Sequence, residues 1–105
     1  MPIYQTAYYQ VKPEAINDCK KAIEIFLDYI KANEPGTEMY LAWQQKSDPT
    51  SFVHLFRFKD KQAHETHGAS AAVKKFESVY RPVLVSDGVT FTDYKLVAGK
   101  NTVLI

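Results

Sequence analysis

The arrangement of apolar and polar residues predicts one long amphipathic helix near the start of the chain. After Pro13, apolar side chains recur at three- and four-residue steps as far as Ile30, and charged or amide side chains occupy the other side. Such a period is typical of a helix that buries one stripe. Proline suits the first turn of a helix but cannot continue one, so Asn33-Glu34-Pro35-Gly36 should end it.

Four segments rich in β-branched and aromatic residues predict β-strands. They are residues 3–11, 37–45, 51–58 and 89–98. The polar link at residues 46–50 is so short that the second and third strands should form an antiparallel hairpin. Asp87-Gly88 should turn the chain into the fourth strand.

Two shorter helical pieces are predicted between the third and fourth strands. Asp60 can cap a helix over residues 61–67, and Ser70 can cap a second piece that has its own apolar stripe. Pro82 lies inside this second pattern, so the helix should stop or kink near Arg81.

The predicted order of elements is β-α-β-β-α-β, and this order indicates the fold class. Two right-handed crossovers would place the helices on one face of a four-stranded antiparallel sheet, which is an α+β fold of ferredoxin-like topology. The 105 residues suffice for one core, so we expect a single domain over residues 1–105.

The strands also predict a homodimer, because they carry apolar side chains on both faces. Residues 51–58 place His54 and phenylalanines on one side, but Val53 and Leu55 on the other. The helices can cover only one face, and a second copy of the chain is the simplest partner for the other. A monomer with a tyrosine-rich exposed face is the alternative. The apolar end at residues 102–105 could add a strand across such a dimer.

Composition narrows the possible functions. The formal net charge is +1 and no run of basic residues occurs, which argues against nucleic-acid binding. No apolar run approaches the roughly 20 residues that cross a bilayer, and the start of the chain does not resemble a secretory signal. We therefore expect a cytoplasmic protein with no membrane segment. Cys19 lies on the apolar stripe of the long helix, where a thiol is typically an inert core residue.

The three histidines are the candidates for chemistry near neutral pH. His64 and His67 are helical neighbours that could bind a metal together with His54, but no carboxylate completes a recognisable ligand pattern. We therefore predict no metal site. His54 lies among phenylalanines, either as a hydrogen-bonded core residue or as a polar group in an apolar pocket.

The aromatic residues have two interpretations. Trp43 and the seven tyrosines could be core and interface residues, or some of them could line a pocket for a flat hydrophobic ligand. The chain has no Gly-rich phosphate loop, no G-x-S-x-G elbow and no H-E-x-x-H pair.

Several short stretches resemble the antibiotic biosynthesis monooxygenase family. They are residues 33–37, Tyr40, residues 48–54, residues 58–60, Ala63, His67 and Ser70. Together with the strand order, the resemblance covers nearly the whole chain. It implies a dimeric α+β barrel in which two sheets face each other and helices coat the outside.

The resemblance also implies a chemistry. Enzymes of this family typically oxidise quinols or polyketide-like phenols with oxygen and use neither a metal nor a flavin, so no cofactor is expected. His67 matches the recurrent histidine of the family and is the candidate for proton transfer. His54, Phe56, Phe58 and Tyr40 are candidates for substrate binding, placed in the pocket wall by strand position only.

Two positions depart from the family pattern. Many relatives carry a glutamate where Phe56 stands and a tryptophan where Phe58 stands, so one acid/base group of those relatives is missing. The haem-degrading branch uses an Asn, a Trp and a His, of which only His67 matches, and haem breakdown is disfavoured. Two functions stay open: a cofactor-independent monooxygenase for a small aromatic, quinol or polyketide-like substrate, and a non-enzymatic dimer that binds a small hydrophobic ligand. A third class, a purely structural interaction module, would have no cavity at all.

Overall fold

The four strands form one antiparallel sheet. The computed structural model describes residues 1–85 and 88–100. Its strands are β1 (Ile3–Gln10), β2 (Thr37–Gln44), β3 (Ser51–Phe58) and β4 (Thr90–Tyr94), and the sheet order is β2-β3-β1-β4. This order confirms the predicted α+β fold of ferredoxin-like topology.

The helices lie in the predicted segments of the chain. A 3₁₀ turn at Pro13–Ala15 leads into α1 (Ile16–Asn33), and α2 (Lys61–Gly68) and α3 (Ala71–Tyr80) follow β3; a second 3₁₀ turn covers Arg81–Val83. Both predicted caps are present. The Asp60 carboxylate accepts a hydrogen bond from the Ala63 amide at 2.9 Å, and the Ser70 hydroxyl accepts one from the Val73 amide at 3.1 Å.

The fourth strand is shorter than predicted. It ends at Tyr94 and does not reach residue 98. Tyr94 pairs with Tyr4, and β1 begins only one residue earlier, at Ile3, so β4 runs out of a partner beyond this point. The predicted 37–45 strand likewise ends at Gln44.

Two other predictions concern residues at or beyond strand ends. Val11 was expected in the first strand, but it makes only an isolated bridge to Leu84. Gly88 has a φ of 99°, a conformation that favours glycine. The rest of the predicted turn, Asp87, and the apolar end at residues 102–105 lie outside the described residues.

The core lies between the sheet and helices α1 and α3. Its buried side chains include Tyr9, Val11, Cys19, Phe26, Phe52, Phe76 and Tyr80. In the middle of the sheet, His54 has Ala7 and Ala42 as its cross-strand neighbours. Because both neighbours are small, they leave room above His54 for larger side chains that reach in diagonally from β1 and β2.

The other face of the sheet exposes apolar side chains. Tyr8 and Leu41 are about two-fifths exposed, and Trp43 and Tyr94 are half exposed or more. A face of this kind agrees with the apolar residues on both faces of the strands, from which the homodimer was inferred; the homodimer stays a prediction here. Within residues 1–85 and 88–100, no helix combines the length and apolar character needed to span a membrane.

Candidate functional site

A cavity of about 250 Å³ lies between the inner face of the sheet and helices α1, α2 and α3. Most of its wall is aromatic. The aromatic and imidazole side chains that line it include Tyr9, Phe26, Tyr40, His54, Phe56, His67, Phe76 and Tyr80. A small concave site with an apolar wall and a few polar groups is the usual form of a pocket for a flat organic ligand.

Four of the five candidate residues from the sequence meet at this cavity. His67, His54, Phe56 and Tyr40 all line it. Phe58 does not: it is fully buried, and its ring packs 5.1 Å from that of His67. The structure thus places Phe58 behind the wall, where it supports the His67 ring.

The most distinctive polar contact joins His67 to a buried carboxylate. Nδ1 of His67 donates a hydrogen bond to Oε1 of Glu34 at 2.8 Å, and the Glu34 side chain is only 4% exposed. The Thr37 hydroxyl donates to the same oxygen at 2.8 Å. Since Nδ1 is used in this way, Nε2 is the nitrogen of the neutral ring that can accept a proton.

A close approach between two backbone segments holds Glu34 and His67 together. Glu34 follows the last residue of α1, and His67 lies in the last turn of α2. A Cβ atom at Gly36 would lie 2.7 Å from the Cβ of Ala63 on α2, which is closer than side chains pack. Glycine at position 36 is therefore what allows α2 to lie against the Glu34 turn.

A second polar cluster surrounds His54. The Tyr9 hydroxyl lies 2.8 Å from Nε2 of His54, and the Tyr40 hydroxyl lies 2.8 Å from Nδ1. The Tyr9 oxygen also lies 3.7 Å from Sγ of Cys19. These contacts form a continuous chain from Cys19 in the core through Tyr9 and His54 to Tyr40.

Burial determines the charge state of this cluster. It lowers the pKa of His54 to about 4, so the ring is neutral near pH 7. Burial likewise raises the pKa of the Tyr9, Tyr40 and Cys19 groups, so all three keep their protons. The chain from Cys19 to Tyr40 is therefore a network of neutral hydrogen-bonding groups.

The alternative of a histidine metal site is not supported by the described residues. Both ring nitrogens of His54 are already hydrogen-bonded to tyrosines, and Nδ1 of His67 is bonded to Glu34. Across residues 1–85 and 88–100, no group of three or more His, Cys, Asp or Glu side chains could hold an ion.

Sequence reasoning missed two important members of the site. Glu34 was treated as part of a helix stop and of a stretch that resembles the family, and its side chain was given no role. A carboxylate at the C-terminal end of a helix opposes the helix dipole, so its presence there requires another reason. Tyr9 was considered only as one of the seven tyrosines, with no partner for its hydroxyl, yet a buried tyrosine usually has one. Either signal could have marked these residues.

The two clusters give the cavity two different chemical capacities. A histidine oriented by a carboxylate can take a proton from a bound hydroxyl group. The neutral tyrosine and histidine network can hydrogen-bond to an oxygen atom without introducing charge. Aromatic rings between them suit the face of a planar ligand.

Comparison with solved structures shows that the fold is widespread. A protein from Bacteroides thetaiotaomicron, proposed to be an antibiotic biosynthesis monooxygenase, is 16% identical, with a TM-score of 0.84 over 92% of this chain and 90% of that chain. A protein from Caulobacter crescentus with the same proposed role is 21% identical, with a TM-score of 0.84 over 92% of this chain and 91% of that chain.

A conserved protein from Methanosarcina mazei is also 21% identical, with a TM-score of 0.81 over 90% of this chain and 92% of that chain. At such identities the likeness shows the fold alone. No curated protein matches the sequence.

The family model for antibiotic biosynthesis monooxygenases matches residues 2–78. This stretch includes β1 to β3, α1, α2 and most of α3, and it contains both Glu34 and His67. The chain therefore belongs to the antibiotic biosynthesis monooxygenase family.

Proposed function

We propose that this protein is a cofactor-independent monooxygenase that oxidises a small aromatic, quinol or polyketide-like substrate with O2. One observation carries the proposal: His67 lines an aromatic cavity while a buried carboxylate, Glu34, holds its Nδ1. Family membership supports the reaction class. The cavity volume of about 250 Å³ suits a ligand of one to three small rings.

His67 is the proposed base. In the proposed reaction, Nε2 takes the proton of a phenolic hydroxyl, and the resulting anion passes electrons from its ring to O2. A carbon–oxygen bond forms at the ring, and loss of water leaves a carbonyl group. For a simple phenol the balance is one phenol plus one O2 giving one quinone plus one water.

Glu34 is the proposed positioning residue for this base. Its carboxylate keeps the proton of the neutral ring on Nδ1 and faces the positive charge that the ring gains when Nε2 is protonated. This carboxylate comes from the end of α1, whereas many relatives carry a glutamate at the β3 position where this chain has Phe56. The chain thus has a buried acidic group beside the cavity despite that departure.

The aromatic wall has a complementary role. The Tyr40 and Phe56 rings stack with centroids 5.1 Å apart, and Phe26 and Phe76 stack at 4.9 Å. These surfaces would bind the ring of the substrate and exclude water from its anion.

We also propose that the protein acts as a homodimer. The outer face of the sheet exposes Tyr8, Leu41, Trp43 and Tyr94. Two such faces packed together would bury these side chains and form the dimeric α+β barrel expected from the family resemblance.

Oxygen uptake tests the proposed reaction. Purified protein should consume O2 with at least one member of a panel of phenols, hydroquinones and anthrone-like compounds, and His67→Ala should lower kcat by about 100-fold or more. Glu65→Gln, a change on the exposed side of the same helix, should leave the rate unchanged. No turnover with any substrate, or equal turnover by His67→Ala, would remove the proposal.

The second candidate is a non-enzymatic dimer that binds a small hydrophobic ligand. It is favoured by the aromatic wall, in which Phe56 stands where many relatives have an acid/base residue. Saturable binding of the same compounds without consumption of O2 would favour this function over the monooxygenase.

A further inference from the structure

We propose that the Tyr40 hydroxyl donates a hydrogen bond to an acceptor oxygen on the aromatic ligand, and that His54 and Tyr9 hold it in this orientation. The inference rests on the proposed function, because it assigns the substrate class for the same cavity. It adds a second polar contact at a place distinct from the base, His67.

The geometry limits how this network can be arranged. Both bonds to the His54 ring are 2.8 Å long, one to each nitrogen. A neutral imidazole has one N–H donor and one lone-pair acceptor, so one tyrosine must donate to it and the other must accept from it. The direction of donation along the hydrogen bonds from Cys19 to Tyr40 is therefore set by which end of this network has the better donor or acceptor.

The Cys19 end of the network favours donation that runs from Tyr9 through His54 to Tyr40. Sγ of Cys19, 3.7 Å from the Tyr9 oxygen, is a weak acceptor, so pointing the Tyr9 hydrogen at sulfur would use a strong donor poorly. The better arrangement has Tyr9 donating to Nε2 of His54. Nδ1–H of His54 then donates to the Tyr40 oxygen.

This polarity leaves the Tyr40 hydrogen for the cavity. Tyr40 and His54 both line the cavity, so the bond between them lies at its wall. With its oxygen already accepting from His54, the Tyr40 hydroxyl is both polarised and held in place. A ligand oxygen with a free lone pair is the group that it would bind.

The substrate class follows from the two polar contacts together. In the proposed arrangement, one ring oxygen carries the proton that His67 removes, and a second ring oxygen accepts from Tyr40. The cavity is thus suited to an aromatic compound with two oxygen substituents, such as a hydroquinone, a catechol or a hydroxylated aryl ketone. A hydrocarbon ring of the same shape would use neither contact.

A matched pair of ligands tests the Tyr40 contact without turnover. Indan-1-one and indane share one skeleton and differ only in the carbonyl oxygen, and neither has a hydroxyl proton for His67 to remove. In Tyr40→Phe, the ratio of the dissociation constant of indan-1-one to that of indane should rise about tenfold over wild type, because a buried carbonyl loses its donor. The dissociation constant of indane should not rise, because indane offers no acceptor to the hydroxyl that the variant lacks.

Tyr80→Phe is the matched control, since it removes another hydroxyl from a residue that lines the cavity but makes no hydrogen bond to His54 in the described structure. The ratio in this variant should stay at the wild-type value. An unchanged ratio in Tyr40→Phe, or a tenfold rise in Tyr80→Phe instead, would overturn the proposal.

The positioning role of Tyr9 and His54 has its own signature. The carbonyl stretching band of bound indan-1-one should shift to lower frequency in the wild type and return toward its unbonded position in Tyr40→Phe. Tyr9→Phe should reduce the shift, because Nε2 of His54 loses the donor that fixes the tautomer of the ring and polarises it toward Tyr40. A wild-type band with no shift would overturn the inference even if no variant folded. Neither the ratio of dissociation constants nor the carbonyl band needs oxidation of a substrate. Both readouts therefore test the Tyr40 contact whether or not the protein proves to be a monooxygenase.

Discussion

Nδ1 of His67 lies 2.8 Å from Oε1 of Glu34, although the two residues are 33 positions apart in the chain. The contact joins the end of α1 to the last turn of α2 beneath an aromatic cavity. Both side chains are largely buried, with exposed fractions of 12% for His67 and 4% for Glu34. An oriented, water-shielded imidazole is the arrangement expected of a catalytic base.

Glu34→Gln should lower kcat by about 10- to 100-fold while changing the substrate dissociation constant little. The amide keeps the shape of the side chain but carries no charge to balance a protonated His67 ring. Steady-state oxygen uptake and a separate binding titration check the two quantities. A variant with wild-type kcat would show that the contact serves the fold alone, and Glu65→Gln, on the exposed side of α2, controls for a general effect of losing a carboxylate.

His54 should make the stability of the protein depend on pH. Burial lowers its pKa from 6.5 to about 4, so the unfolded chain binds a proton at a higher pH than the folded one. Stability that is fully present above pH 6.5 is therefore lost progressively as the pH falls to about 4, by on the order of 3 kcal/mol.

Urea unfolding at several pH values measures this loss. His54→Gln cannot titrate at position 54, so its free energy of unfolding should fall less steeply than that of the wild type between pH 6.5 and 4. Parallel curves for the two proteins would contradict the assignment of the pH dependence to His54.

Much of the fold could be predicted because its signals are local. Asp60 and Ser70 precede the segments that they cap by one residue, and the amphipathic stripe of α1 is visible in its period alone. The bounds of β3, predicted as residues 51–58, agree with Ser51–Phe58 in the structure. The length of β4 was wrong because it depends on where β1 begins, which is information about another part of the chain.

The site was predictable only in part, because its contacts join residues that are far apart in the sequence. His67 could be identified by its resemblance to the family histidine, but its partner Glu34 becomes visible only when α2 packs against the end of α1. The contacts of His54 with Tyr9 and Tyr40 depend on the registers of two strand pairs, which set the diagonal neighbours of His54. Pattern along the chain identifies such residues as inward-facing but does not say which of them meet.

Gly36→Ala should destabilise the protein by about 1–3 kcal/mol, because the new Cβ would lie 2.7 Å from the Cβ of Ala63 and α2 would have to shift. Since α2 carries His67, turnover should fall as well. The double variant Gly36→Ala/Ala63→Gly removes the clash, so it should recover activity even though glycine within a helix costs about 1 kcal/mol. Chemical denaturation and oxygen uptake of the single and double variants make the comparison, and a double variant as inactive as Gly36→Ala would contradict it.

Cys19 should react with thiol reagents only when the structure opens. It is 1% exposed, and burial raises the pKa of its thiol, so little thiolate is present or accessible. Labelling by 5,5′-dithiobis(2-nitrobenzoate) should be slower than in the urea-unfolded chain by about 1,000-fold or more. Ser78→Cys in a Cys19→Ala background, which places a thiol on the exposed side of α3, should react at the rate of an unfolded chain. Rapid labelling of wild-type Cys19 would mean that the core around Tyr9 opens easily.

The outer face of the sheet should be the dimer interface. Trp43 is 50% exposed there in the single chain, and Ile25, at 60%, is exposed on α1 in the helical layer. At micromolar concentration the wild type should sediment as a dimer. Trp43→Glu would place an unpaired charge inside the proposed interface, which costs several kcal/mol and should weaken association by more than about 100-fold.

Ile25→Glu adds the same charge to the helical layer and should leave the dimer intact. A wild-type protein that sediments as a single subunit, or a dimer lost through Ile25→Glu and kept in Trp43→Glu, would exclude the proposed packing of sheet on sheet.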